Sequence, residues 1–130
     1  MKVLILKKRK DFVRAAKGLK SVTPSLILQA AQSLSSPSKP ILADGCYLGY
    51  TATKKLGKAH IRNLVKRRLR AAAAECFAAN AAAGTDYVLI GRYNTATVDF
   101  AKLKADMLKA LQDVKTQRTP QNESSDNLAD

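Results

Sequence analysis

Residues 59–82 constrain the fold of this chain most, because one helix there must carry two opposed surfaces. Ile61, Val65, Leu69, Ala72 and Cys76 recur at i, i+4, i+3 spacing, the mark of a helix buried along one side. At about 100° per residue, with Ile61 at zero, that stripe centres near 40°. On the same wheel Arg62, Asn63, Lys66, Arg67 and Arg70 fall between about 100° and 240°, while Arg68 lies near the apolar edge and is expected to snorkel outward. The alanine-rich end, AAAAECFAANAAA, favours helix, and Gly84 is a plausible stop.

The rest of the chain arranges itself around that helix. Residues 7–18 read as a short first helix with a narrow stripe of Phe12, Val13 and Ala16, ending at Gly18. The Thr23-Pro24 step disfavours helix and starts a strand at 25–31. Residues 32–45, rich in serine and proline, form a loop, and a second strand follows at 46–52. Two strands joined in this way most simply pair antiparallel. YVLIGRY at 87–93 is a strand apolar on both faces, and 99–114 is a last helix that Asp99 can cap. The expected order is α-β-β-α-β-α with a three-strand sheet, in a single domain over 1–115. From 116 to 130 apolar periodicity is lost, and a disordered polar tail is expected.

Charge narrows the function. The chain has 23 Lys and Arg against 10 Asp and Glu, a formal net charge of +13. Residues 1–20 hold eight bases against the single acid Asp11, and residues 54–70 hold eight more with no acid. An excess of this size repels itself in a compact fold, and a polyanion relieves it by giving up condensed counterions. A solvated helix face normally mixes signs to form i, i+4 ion pairs. Here the series Lys58, Arg62, Lys66, Arg70 is repulsive throughout. Arg62 and Arg67 can fork onto a phosphate or a base edge, whereas Lys66 acts as a point charge. Asn63 either adds a neutral donor and acceptor or is a plain surface residue.

Other chemistries find little support. The lead-in Thr53-Lys54-Lys55-Leu56-Gly57-Lys58 lets backbone approach phosphate and ends at a helix N-terminus, itself an anion site. It lacks the full P-loop spacing of two glycines, Lys and Ser or Thr, so nucleotide hydrolysis is not expected. Cys46 and Cys76 lack metal-ligand spacing and read as reduced, half-buried fillers in a cytoplasmic protein. His60, the only histidine, reads as a polar residue beside RNA. Asp11 and Asp44 read as surface acids rather than metal ligands. No run of roughly 18 apolar residues is present to span a membrane. The opening MKVLILKKRK has the wrong order and too short an apolar tract for a secretory signal. A DNA-reading helix is disfavoured because strand and loop, not a short helix and turn, precede residue 59.

Residues 53–70, TKKLGKAHIRNLVKRRLR, resemble the signature of the bacterial ribonuclease P protein component, which carries SKK-x-G-x-A and then RN-x-x-KR-x-x-R at this spacing. The resemblance extends more weakly over about 5–112 and includes the early Leu6-Lys7-Lys8 and Asp11-Phe12. It implies an α+β fold, an α-β-β-α-β-α sandwich with a small mixed sheet and a left-handed β-α-β crossover (ribosomal-protein-S5-domain-2-like). That hand runs against the general right-handed rule. It implies a non-catalytic subunit that binds the ribonuclease P RNA and the 5′ leader of precursor tRNA. Mg²⁺ would act through the RNA, with no metal held by the protein. The protein would be a monomer bound one-to-one to the RNA. The implied RNA-binding residues are Lys54, Lys55, Lys58, Arg62, Asn63, Lys66, Arg67, Arg68 and Arg70, and the implied leader cleft holds Phe12, Lys8 and Thr53. Without the family, Phe12 would read as core. Stacking on its ring would suit a single strand, since every base has a π-face. Leu64 stands where the family has a further arginine, Ala16 where many members carry a second cleft aromatic, and Thr53 where serine is usual. The competing reading is a ribosomal or other structured-RNA-binding protein with no part in tRNA processing.

Overall fold

A computed structural model of the chain describes the backbone of residues 1–127 and side chains as far as Gln117. The elements are β1 (Lys2–Ile5), α1 (Arg9–Ala16), β2 (Leu19–Val22), β3 (Leu26–Gln32), β4 (Gly45–Thr51), a 3-10 turn (Lys54–Leu56), α2 (Ala59–Asn80), β5 (Thr85–Gly91) and α3 (Phe100–Asn127). The sheet has five strands in the order β1-β4-β5-β3-β2, not the three expected.

Both additional strands are four residues long, too short for alternation to stand out from the charged sequence around them. The expected antiparallel pairing of residues 25–31 with 46–52 does not occur. β3 pairs antiparallel with β5, and β4 pairs parallel with both β1 and β5. The β4-α2-β5 unit supplies the reason, since its crossover seats β5 on the edge of β4 that β3 would have taken. This is the crossover to which the family resemblance assigned a left hand.

Helices cover both faces, which is why β5 is apolar on both. On one face α2 and α3 bury Leu26, Leu28, Cys46, Leu48, Leu89, Val65, Leu69, Ala72, Cys76, Phe77, Leu103, Met107 and Leu111. The stripe anticipated on α2 is thus in the core, with Ile61 half-buried at its start. Cys46 and Cys76 are free and fully buried rather than half-buried, and burial pushes both thiols up, Cys46 to about 11. On the other face α1 covers a smaller cluster of Leu6, Ala15, Tyr47 and Val88, joined by Phe12 and Ile90.

The smaller cluster is bordered by a buried ion network. Arg14 pairs with Asp11 at 2.7 Å and with Asp86, and Lys39 pairs with Asp86 at 2.8 Å and with Asp11 at 3.7 Å. The Ser33 hydroxyl donates to Asp86 at 2.7 Å. Asp11 is therefore no surface acid, for only 3% of it is exposed. Burial pushes its carboxyl up, but the Arg14 hydrogen bond and the charges of Lys39, Arg14 and Lys10 outweigh this, leaving it below the usual 3.8.

The helix α3 continues past residue 115, where a disordered tail was expected. Loss of apolar periodicity reports loss of packing, which is not the same as loss of helix. The Gln117 amide still reaches back to donate to the Lys20 carbonyl at 2.8 Å. Residues 128–130 lie outside the described residues. Among those described, no helix is long and apolar enough to cross a membrane.

Candidate nucleic-acid interface

The outer side of α2 carries Arg62, Asn63, Lys66, Arg67 and Arg70, with Asn63, Arg67 and Arg70 exposed. Five cations outside this stretch, Arg14, Lys39, Lys102, Lys104 and Lys109, pair with carboxylates. Among the described residues no carboxylate pairs with any base from Lys54 to Arg70. Arg70 lies with its guanidinium carbon 5.2 Å from the centre of the Tyr50 ring on β4, a cation–π contact made while the residue stays exposed. Burial pushes the Tyr50 hydroxyl up, and the Arg70 charge partly offsets it.

The lead-in completes a second cationic feature. Gly57 has φ +133, a backbone conformation open to glycine and strained for L side chains, and it turns the chain from the 3-10 turn into α2. Lys58 is the N-cap of α2 without a side-chain cap, and no acid lies in the first turn. The first backbone N–H groups of α2 thus stay available to an anion, with Lys54, Lys55 and Lys58 exposed beside them. Arg62 Nε donates to the Gly57 carbonyl at 3.3 Å, a long bond that ties the lead-in to the helix. His60 is exposed in this first turn.

Arg68 departs from its neighbours. Its Nη1 donates to the Thr95 carbonyl at 2.6 Å and its Nη2 to the Val98 carbonyl. The helical wheel put Arg68 at the apolar edge, and what waits there is the loop after β5. With both terminal nitrogens engaged, Arg68 braces that loop rather than joining the open cationic face.

The opposite face of the sheet carries Phe12, the aromatic that the resemblance assigned to a leader cleft. Phe12 rests on Gly49, where a methyl group would stand only 2.4 Å from Phe12 Cζ, so glycine at 49 is what lets the ring lie on the strand. The side of the sheet beyond α1 carries Thr51, Ile90 and Ile27, register partners in a row across three strands, all half-buried. Gln29 sits beside Ile27 on the same face. Thr53 is exposed where this row meets the lead-in.

Lys8 lies apart from that row. It is the N-cap of α1 and lines a separate cavity of about 810 Å³ with Val3, Ile5, Pro40 and Tyr47. The three residues assigned to one cleft are therefore spread along α1 and one end of the sheet. Ala16 is exposed, so no ring stands beside Phe12 on α1. Among the described residues no group of three His, Cys, Asp or Glu is placed to hold a metal ion.

Comparison with known proteins finds relatives of this chain. A family model described as Ribonuclease P matches residues 1–115. The ribonuclease P protein component of Paramagnetospirillum magneticum is 46% identical over 110 residues, covering 84% of this chain and 80% of that relative. The Ruegeria pomeroyi protein component is 38% identical over 110 residues, 84% of each chain. Among solved structures, the ribonuclease P protein of Thermotoga maritima has TM-score 0.65 at 24% identity, covering 81% of this chain and 92% of that one. The Staphylococcus aureus protein has TM-score 0.62 at 22% identity, covering 82% and 91%.

Proposed function

The chain belongs to the ribonuclease P protein family, and on that premise we propose that it binds the catalytic RNA through α2 and its lead-in, and the 5′ leader of precursor tRNA through the cleft under α1. The observation that carries this reading is the density of uncompensated charge on one element. Eight bases and no acid lie between Lys54 and Arg70, and none of those bases pairs with a carboxylate among the described residues. Unpaired, mutually repelling cations on a rigid helix are stabilised by a polyanion that displaces counterions. The residues assigned to the catalytic RNA are Lys54, Lys55, Lys58, Arg62, Asn63, Lys66, Arg67 and Arg70, with Arg68 as the brace behind them.

The two proposed surfaces suit different partners. A helix face of point charges and forks fits a folded backbone. A shallow apolar row beside a half-buried ring fits a single strand whose bases are free to stack. Mg²⁺ serves the RNA in this reading, since the surfaces assigned to RNA offer cations and not carboxylates. The protein supplies no group to the phosphodiester cleavage itself.

The test is reconstitution. Precursor tRNA is incubated with a bacterial ribonuclease P RNA at low Mg²⁺, with and without the protein. Restoration of 5′ leader removal is expected. RNA binding without restored cleavage would leave a structured-RNA-binding protein with no part in tRNA processing. For Phe12→Ala we expect discrimination between precursor and mature tRNA to fall by roughly tenfold, the worth of one stacked base. Undiminished discrimination would return Phe12 to a purely structural role.

A further inference from the structure

Tyr93 is the most exposed large apolar side chain among the described residues, at 79%. A single exposed ring needs no explanation by itself. What sets this one apart is the rigidity of its mount. It sits in the turn Arg92–Thr95, closed by a bond from the Thr95 N–H to the Arg92 carbonyl at 3.1 Å. Thr95 is completely buried. Its hydroxyl donates to the Ser25 carbonyl at 2.6 Å and accepts the Arg92 N–H at 2.7 Å. Arg68 holds the Thr95 carbonyl from the other side, and the Val98 N–H bonds the Asn94 carbonyl at 2.8 Å. A loop fixed at this many points displays its ring without the ordering entropy that a mobile loop would lose on binding.

The position points to the ligand. Tyr93 lies two residues past Gly91, and Gly91 packs against the 3-10 turn, since a methyl at 91 would stand 3.4 Å from Leu56 Cδ1. Lys54 and Lys55 belong to that same turn. Ile90, three residues before Tyr93, is the middle member of the row Thr51, Ile90 and Ile27. Arg92 intervenes, and no carboxylate pairs with it among the described residues. Tyr93 thus leaves the sheet at the end where that row and the unpaired lysines of the turn both lie, a combination that fits a nucleobase whose flanking phosphates reach the cations.

We propose that Tyr93 is a stacking platform for an unpaired nucleobase of precursor tRNA, extending the cleft past Ile90 toward Lys54 and Lys55. The proposal rests on the leader-binding reading above. It makes the contact tolerant of sequence, because every base offers a π-face, and dependent on leader length, because a leader too short to reach the turn gains nothing.

The experiment uses the holoenzyme reconstituted from full-length protein and catalytic RNA, with precursor tRNAs whose leaders are lengthened one nucleotide at a time. For Tyr93→Ala we expect affinity for long-leader precursors to fall by roughly tenfold while mature tRNA and the shortest leaders bind as to the parent. Tyr93→Phe should keep the parent's affinity. An abasic residue at the stacked leader position should weaken the parent by the same factor and the alanine variant no further. Thermal unfolding of Tyr93→Ala should match the parent, since the ring buries little. Equal affinities of parent and alanine variant at every leader length would overturn the proposal, as would a phenylalanine variant as weak as alanine. If the parent restores cleavage but is indifferent to leader length, the cleft reading fails and this proposal with it.

Discussion

Replacing Arg62 and Lys66 together by alanine is expected to weaken binding to the catalytic RNA and to flatten its salt dependence by about two units. Each cation that meets a phosphate releases roughly one counterion, so the slope counts contacts more directly than affinity does. A fourfold rise in salt should then weaken the parent by about tenfold more than the variant. Both residues are half-buried on α2, and neither pairs with a carboxylate among the described residues. The control is Lys104→Ala with Lys109→Ala, which removes the same charge from α3, where the two lysines pair with Glu75 and Asp113. That control should leave the slope near the parent's. Equal flattening in both double variants would mean that net charge alone drives binding, and the oriented face of α2 would lose its role.

The helix that carries this prediction was also the part most legible in the chain. Twenty-two residues of regular alternation specify both which side is buried and which is charged, and Val65, Leu69, Ala72 and Cys76 fell where the wheel put them. Legibility failed where partners are distant in sequence. Nothing local in LKSV or KVLI marks a strand, because each becomes one only by pairing with residues elsewhere in the chain. Arg68 looked like one more member of a basic run until its acceptors emerged 27 and 30 residues on. Asp11 looked like a lone surface acid because Lys39 and Asp86, which complete its surroundings, lie in a loop and a strand that sequence alone does not bring together. Tyr93 gave no signal, since exposure and a braced turn belong to tertiary structure.

Loss of Asp86 should be the most damaging single change to stability, about 3–5 kcal/mol for Asp86→Ala. Its carboxylate is fully buried and receives Arg14, Lys39 and Ser33. Removing it leaves two cations against Asp11 alone, and an uncompensated buried charge is what makes a broken pair expensive. Replacing the whole group together, Asp86→Leu and Asp11→Leu with Arg14→Met and Lys39→Met, should recover most of the loss, because a packed apolar cluster needs no counter-charge. Acid should expose the same dependence. The Asp11 carboxyl is depressed below 3.8, so its contribution is complete above that value and disappears as pH falls through the folded value. Urea unfolding of parent and Asp11→Asn should therefore converge at low pH and separate above it. Function should split as well. The network fastens α1 and the 33–42 loop to the sheet face opposite α2, so Asp86→Ala, at a temperature where it stays folded, should lose discrimination for precursor tRNA while keeping its salt slope for the catalytic RNA. A destabilisation under about 1 kcal/mol, or a slope that falls with the leader contact, would show that the two sheet faces are not the separate devices described here.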